Sequence, residues 1–430
     1  MLVRTVASRD DLYSVNAGKL MMPGSAMKIV TTAAAAERLG WEHRFETRVV
    51  TSAPIESGVL RGDLIIVGGG DPGISQRADQ PDAMRAMARQ VREAGISRIE
   101  GGVIGHDDFF DDQALGEGWT LDNLPYGYSA PVSALMYNEG SVDLVIRAGA
   151  AAGDPVSIEV HPEGSGLLID NRLMTVPETG TGALTLHRLP GSSRVTVQGQ
   201  IPAKAAPFVR TASVDNATTF FASAFRHALL AEGVQVTGDA VDIDDFVSKP
   251  DVTEARPIAT RMSLPLSELA TAMMRVSQNQ YAEMLLKSIG GRRTVQETLT
   301  AWGVPGDSYI VADGSGLSRY NYITSDAVVS ILQRMHSDPK HASAFSQTLP
   351  VAGRDGALSR RLAGTAAAGK VRAKTGTVDN VRAIAGYVET ADADILVFSI
   401  IANNFNVSNA VVDAAADKAL IRLSTYTRTP

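Results

Sequence analysis

Apolar and polar positions alternate in two different textures along the chain, and the textures predict its elements. Residues 23–40 open with Pro23 and Gly24, continue through Ile29, Val30 and four consecutive alanines at 33–36, and stop at Gly40. Turn formers at the entrance, high helix propensity in the middle and a glycine past the last turn predict a helix. After Lys28 nearly every residue is apolar or small, so the helix should be buried on most sides. Strand-like runs at 2–6 and 12–15 flank the turn cluster Ser8, Arg9, Asp10 and Asp11, which predicts a hairpin ahead of it. From residue 257 the pattern is helical at 266–276, 280–289 and 323–336, the last entered through Thr324, Ser325 and Asp326. Strands follow at 371–377, 381–389 and 395–403, with Asp379 and Asn380 at the first turn, and a helix closes the chain at 409–423.

Between about 44 and 256 the texture is different. Residues 45–51 alternate, and Leu64 to Val67 form a continuous apolar run that reads as a buried strand. A helix is predicted at 81–94, a strand at 98–105, and a loop at 116–128 that carries Trp119, Asp122, Tyr126 and Tyr128. Residues 141–201 alternate with Gly, Pro and Asn breaks, the signature of a small all-β unit. A helix at 217–232 ends before Gly233, and 234–236 with 240–243 suggest a closing strand pair. The run from Gly68 to Gly73 formally fits G-x-G-x-x-G after a strand. Pro72 and the loop-like residues after it do not open a helix, so it reads as a glycine turn and not a dinucleotide site. The organisation predicted is 1–44 plus 257–430 as one domain, 45–140 plus 202–256 as an inserted α/β domain, and 141–201 as an all-β domain nested within it.

Composition narrows the chemistry. The 430 residues are 44% hydrophobic and 20% charged, which is ordinary for a globular protein, and the net charge of −7 makes no electrostatic case for nucleic acid. Without cysteine there is no thiol catalysis, disulfide or Cys-based metal site. Seven scattered histidines show no ligand spacing, so neither zinc nor another cofactor is expected. No run is long enough to span a bilayer. Residues 1–20 lack the apolar core of a signal peptide, so either the protein stays inside or the chain begins after an export signal.

The candidate nucleophile is Ser25. Ser25 and Lys28 are three positions apart and share one face of the first helical turn. A serine at a helix start is ordinarily a cap, and a lysine one turn later is ordinarily solvated. Here the helix is apolar, and a lysine at the entrance of a buried helix loses hydration, which lowers its pKa. A neutral amine can then take the hydroxyl proton. Two further elements carry the same kind of chemistry. Ser277, Gln278 and Asn279 stand between two helical runs, where a loop is predicted to expose Ser277 and Asn279. Lys374, Thr375, Gly376 and Thr377 end a strand. Either alone is weak, but the order Ser-x-x-Lys, Ser-x-Asn, Lys-Thr-Gly is the signature of penicillin-recognising serine acyltransferases.

With residues 23–28, 62–72, 130–135, 313–319 and 371–377, these motifs make the whole chain resemble the low-molecular-mass class C penicillin-binding proteins, the D-alanyl-D-alanine carboxypeptidase/endopeptidases. The gap of about 250 residues between the first two motifs fits that class, in which two domains are inserted there. The resemblance implies an α+β multidomain fold. Its β-lactamase/transpeptidase-like domain sets a five-stranded antiparallel sheet beside a helical cluster, with the site between them. Ser25 would attack the penultimate D-alanine carbonyl, with Lys28 as general base. Ser277, helped by Lys374, would relay the proton to the leaving amine, and Asn279 would hold the substrate's peptide carbonyl. Backbone N–H groups of Ser25 and Thr377 would form the oxyanion hole, and Thr375 and Thr377 would bind the terminal carboxylate. Gly376 would let substrate approach the strand edge. Trp119 and Asp122 would line a pocket for the peptidoglycan side chain, Asp122 holding the amine of meso-diaminopimelate; the structural alternative has Trp119 packing between domains and Asp122 capping a turn. Arg319 would border the site.

The resemblance also implies where the protein works and on what. Substrates would be the terminal D-Ala-D-Ala bond of stem peptides, D-Ala–diaminopimelate cross-links, or both, since the two activities use one site, with β-lactams as acylating inhibitors. The location would be periplasmic or otherwise extracytoplasmic, with peripheral membrane association compatible. This chain departs from the pattern in three places. Val378, Asp379 and Asn380 replace the usual apolar residue, Ser or Thr, and Gly; Asp379 would either favour an amine-bearing side chain or tighten the strand turn. Gly127 interrupts the aromatic run near Trp119. Relatives carry an export signal and a further helix before the first strand, so a truncated start, with apolar surface left bare, is expected. The alternatives are a β-lactamase or esterase on the same fold, or an inactive peptidoglycan-binding protein. The former needs a second base for the deacylating water, and no Glu-x-x-x-Asn pattern occurs in 280–330. The latter is weakened because every catalytic position is filled.

Overall fold

The computed structural model describes residues 1–77 and 82–428. The chain forms two compact units, one of Met1–His43, Gly116–Gly118 and Leu264–Pro430, the other of Arg44–Leu115 and Trp119–Ser263.

The first unit is built on an antiparallel sheet of β1 (Leu2–Thr5), β2 (Asp11–Ser14), β3 (Val371–Val378), β4 (Val381–Glu389) and β5 (Ile395–Asn403), in the order β2-β1-β5-β4-β3. Pairing of Leu2 with Ser399 joins the two ends of the chain. Val378 pairs with Val381, so Asp379 and Asn380 are the whole turn, and Asn380 takes the left-handed φ of 59° that its side chain tolerates. Side chains alternate between the two faces of the sheet. Val371, Ala373, Ile384 and Val388 point to one face and pack with Ala416 and Leu420 of a C-terminal helix. Lys374, Gly376 and Tyr387 point to the other, where the Tyr387 hydroxyl donates to the Leu332 carbonyl at 2.7 Å.

That second face carries the helices α1 (Met27–Leu39), α2 (Leu266–Val276), α3 (Asn279–Ser288), α4 (Gly291–Ala301), α5 (Ser325–Ser337) and α6 (Ala342–Thr348); the C-terminal helix is α7 (Asn409–Ser424). Every residue from Met27 to Ala36 in α1 is buried. The alanines let α3, α4 and α5 approach it closely. Gly40, at φ 81°, ends the helix. The polar α4 and the seven-residue α6 were not evident from apolar periodicity. In α4 only Val295, Thr298 and Leu299 are buried.

The second unit holds a five-stranded sheet ordered Ala240–Asp242, Val103–His106, Leu64–Val67, Glu46–Thr51, Arg256–Met262, and a four-stranded sheet ordered Gln235–Val236, Arg98–Ile99, Val59–Leu60, Ile55–Glu56. Helices Ala83–Glu93 and Ala217–Ala231 pack together, the second burying Phe220, Phe221 and Phe225. Two three-stranded sheets span residues 141–213. The helix predicted over 81–94 begins at Ala83, and residue 81 lies outside the described residues.

Two strand expectations are corrected. The strand predicted at 98–105 is two short strands in different sheets, because the chain turns at Gly101 and Gly102 where a Cβ would press on the Gly62 and Asp239 backbones. Segments 234–236 and 240–243 do not pair with each other. Gln235–Val236 lies parallel to Arg98–Ile99, and Ala240–Asp242 parallel to Val103–His106. Among the described residues, no helix is long and apolar enough to cross a membrane.

Candidate active site

Ser25 sits in a 3-10 turn, Gly24–Ala26, that runs directly into α1. Gly24 has φ 51°, and a Cβ on it would lie 2.9 Å from the Thr377 backbone nitrogen. Glycine is therefore required by backbone conformation and by the closeness of β3. Lys28, one turn on, is fully buried. Its amine donates to Ser25 Oγ at 3.1 Å, to Asn279 Oδ1 at 2.7 Å and to the Ser315 carbonyl at 2.8 Å. Burial lowers its pKa from 10.5 to about 7, against the opposing pull of Asp313 and Glu283. An amine that loses its proton near neutrality, within hydrogen-bond reach of a hydroxyl, can act as its base.

Ser277 follows α2 in the left-handed conformation, φ 63°, and the Gln278 N–H bonds back to the Met273 carbonyl at 3.0 Å. This cap turns the chain sharply into α3, whose first residue is Asn279. The expectation that both motif side chains are exposed is corrected here: Asn279 is only 8% exposed, because the turn aims it inward at the Lys28 amine.

Lys374 lies on the face of β3 that looks toward α1, and it too is fully buried. Its amine donates to Ser277 Oγ at 2.8 Å and to the Thr375 carbonyl at 2.9 Å. Burial, and secondarily the nearby Lys28 ammonium, hold its pKa well below the ordinary lysine value. The two lysines thus repel each other's protons across the cleft.

β3 is an edge strand. Ala373 donates its N–H away from β4, to the Pro350 carbonyl at 2.9 Å. Alternation of the ladder puts the Thr375 and Thr377 N–H groups on that same outer edge. The Thr377 side chain points to the opposite face from Lys374, where its hydroxyl accepts from Arg382, which also pairs with Asp413 of α7. A Cβ on Gly376 would run into the Pro23 carbonyl. The packing of β3 against the nucleophile's own turn thus demands glycine here by itself. Arg319 donates to the Asp379 carbonyl at 3.2 Å, tying its loop to the β3–β4 turn.

Residues 1–425 match the D-Ala-D-Ala carboxypeptidase 3 (S13) family. The chain belongs to that family. It is a serine-type D-Ala-D-Ala carboxypeptidase by membership. It is 36% identical over 448 residues to the D-alanyl-D-alanine carboxypeptidase of Actinomadura sp. (strain R39), covering 99% of this chain and 81% of the relative. Penicillin binding protein 4 (dacB) from Haemophilus influenzae has the same fold: its crystal structure matches with a TM-score of 0.87 over 99% of this chain and 96% of that one, at 23% identity. The same protein complexed with a β-lactam matches with a TM-score of 0.79 at 22% identity, over 99% and 96% of the two chains.

This S13 site has supports that motif reading missed. Asn403, at the end of β5, holds the residue before the nucleophile's turn by accepting from the Met22 N–H at 2.7 Å and donating to its carbonyl at 3.0 Å. Asp313 gathers the N–H groups of Gly316 at 2.7 Å and Ser318 at 2.6 Å, with the Asn321 amide at 2.6 Å. These bonds fold residues 313–318 into a tight loop under Lys28. Gly316, at φ 85°, lies so close to Gly24 that a Cβ would overlap its carbonyl oxygen. Glu283, one turn after Asn279, was legible only as an acid in an apolar helix. Trp119 and Asp122 belong to the second unit. Asp122 stands in the short turn Leu121–Asn123 and lines a cavity of about 250 Å³ with Leu186, Arg188, Arg194 and Thr196.

Proposed function

We propose that Ser25 is the acylated nucleophile of a DD-peptidase that removes the terminal D-alanine of peptidoglycan stem peptides and cleaves D-Ala–diaminopimelate cross-links. The observation that carries this reading is the buried Lys28 amine at 3.1 Å from Ser25 Oγ, beside a second buried amine, Lys374, bonded to Ser277. Lys28 takes the Ser25 proton as Oγ attacks the carbonyl carbon. The backbone N–H groups of Ser25 and Thr377 receive the developing oxyanion, an interaction of about 3–4 kcal/mol per donor in comparable sites. Ser277, backed by Lys374, relays that proton from Lys28 to the leaving amine as the C–N bond breaks, which returns Lys28 and Ser277 to their starting protonation. Asn279 orients Lys28 through its carbonyl oxygen and offers its amide toward the substrate's peptide carbonyl. The outer edge of β3 at Thr375 and Thr377 and the positive potential of Lys374 receive the terminal carboxylate, with Arg319 at the rim, while the Thr377 hydroxyl stays bonded to Arg382 on the opposite face. Water then hydrolyses the ester, and β-lactams acylate Ser25 by the same first steps.

The second unit reads as an α/β domain enclosing an all-β domain, and the all-β part extends beyond the expected 141–201, because strand Phe208–Ser213 pairs with Ser141–Arg147. Trp119 and Asp122 are assigned to recognition of the stem-peptide side chain, Asp122 through a charge-assisted bond to its free amine. A cell-wall substrate supports a periplasmic or otherwise extracytoplasmic location. A β-lactamase of the type that uses a glutamate-activated water gains no support, because both oxygens of the buried Glu283 are taken by backbone amides.

Mass spectrometry of purified pentapeptide and cross-linked dimer muropeptides, before and after incubation, tests the reading. Loss of one D-alanine from the pentapeptide and scission of the dimer, both abolished by Ser25→Ala, are expected. Unchanged masses with wild-type protein overturn it.

A further inference from the structure

Glu283 is a buried acid that the acylation chemistry does not use directly. It is 6% exposed, on the same face of α3 as Asn279. Its two carboxylate oxygens each accept one backbone N–H, Gly314 at 2.9 Å and Ser315 at 2.7 Å. The carbonyl of that same Ser315 is what the Lys28 amine donates to. Gly314 presses on α3 so closely that a Cβ would lie 2.6 Å from the Ala282 carbonyl. The loop is thus clamped from both sides, by Glu283 on the α3 side and by Asp313 within.

We propose that Glu283, bridging the Gly314 and Ser315 amides, is the positioning residue that holds the Ser315 carbonyl, and through it the Lys28 amine, in line with Ser25. The proposal rests on the reading of Lys28 as the base for Ser25. Lys28 has three hydrogen bonds in the described geometry, to Ser25, Asn279 and Ser315. Two of these acceptors lie on elements other than its own helix, and they fix where its lone pair points once the proton is lost. Glu283 controls one of the two by holding the peptide unit that supplies it. A neutral side chain cannot replace it. Gln has one acceptor oxygen for two converging donors, and its amide would face an N–H.

The clamp is also electrostatic. The titratable groups around Lys28 are Glu283 on α3, Asp313 in the loop and Lys374 on β3. Glu283 and the two lysines lie in one buried cluster, so the acid limb of acylation reports coupled groups and not a single residue. Burial and Asp313 raise the pKa of Glu283, and the two amides oppose that rise. The Glu283 carboxylate favours the Lys28 ammonium.

The test is the pH profile of acylation by a fluorescent penicillin, measured by rapid quench for wild type, Glu283→Gln and Glu283→Asp, with thermal unfolding of each as a folding control. In Glu283→Gln the acylation rate constant falls about tenfold or more while the apparent dissociation constant for the penicillin stays within about twofold, because one of the two amides loses its acceptor and the Ser315 carbonyl is no longer held. In Glu283→Asp the charge remains but the shorter side chain cannot span both amides, so the plateau falls at least tenfold while the limb stays in place. An acylation rate constant within twofold of wild type in folded Glu283→Gln overturns the proposal, as does an Asp variant within twofold of wild type; the Asp result decides alone if the Gln variant does not fold. Wild-type protein that shows no Ser25-dependent acylation instead overturns the underlying reading of Ser25 and Lys28.

Discussion

Asn279 accepts a hydrogen bond from the Lys28 amine at 2.7 Å across 251 positions of sequence. The contact links the second motif to the first and fixes the direction of the amine. Replacing Asn279 by Asp puts a carboxylate against the amine. The charge favours the ammonium and raises the Lys28 pKa above about 7. The acid limb of acylation should shift to higher pH, and the rate at pH 7 should fall at least tenfold while the rate at pH 9 recovers in part. Stopped-flow acylation across pH checks this.

Lys28 also leaves a signature in stability. The unfolded chain keeps the lysine proton until about pH 10.5, whereas the folded protein loses it near pH 7. Between those values the unfolded state binds more protons, so this group's contribution to stability rises with pH, by up to about 1.4 kcal/mol per pH unit, and is lost as pH falls through 7. Lys28→Met removes the term. The stability difference, wild type minus variant, should increase from pH 7 to pH 10 in urea unfolding series.

Gly316→Ala should be severe. The added Cβ overlaps the Gly24 carbonyl, and the residue sits at φ 85°. The backbone conformation alone costs about 1–3 kcal/mol for a non-glycine residue. We expect lower thermal stability and acylation slowed at least a hundredfold, because relief of the clash displaces the turn that carries Ser25. Differential scanning calorimetry and acylation kinetics on the same preparation check both effects.

Asn403→Ala removes both bonds to Met22. At about 0.5–1.5 kcal/mol each, the loss is about 1–3 kcal/mol of stability. Acylation should slow more than deacylation, since Met22 leads into the turn that delivers the nucleophile. Separate measurement of acyl-enzyme formation and decay distinguishes the two steps.

How much of this was legible in sequence depends on the reach of each contact. Ser25 and Lys28 are one turn apart on one helix, so helix geometry brings them together and residue order is enough. The strands 381–389 and 395–403 were readable because both faces of their sheet are covered and their runs are nearly all apolar, whereas 371–377 alternates Val371 and Ala373 with Arg372 and Lys374. Ser277 was placed correctly between two helices, but Asn279 opens the second of them and is buried where a loop was expected to expose it. A left-handed residue at a helix end reverses the chain within two positions, and no periodicity reports that. Gly376 was assigned to substrate approach; its constraint from the Pro23 carbonyl, a contact between segments some 350 residues apart, was not legible. Glu283, Asp313 and Asn403 act on backbone groups of distant loops, so their spacing carries no motif. The segments around 98–105 and 234–243 show the same limit in the fold. Strand propensity was visible, but the choice of partner strand is made by tertiary packing.

The most direct test of Ser25 as the activated nucleophile is intact-protein mass spectrometry after brief exposure to a β-lactam, followed by tryptic mapping. Cleavage after Lys19 and Lys28 isolates residues 20–28, with Ser25 the sole hydroxyl residue among them. The predicted result is one adduct per chain, carried on that peptide and absent in Ser25→Ala. An adduct on any other peptide, or none on the wild-type protein, would contradict it.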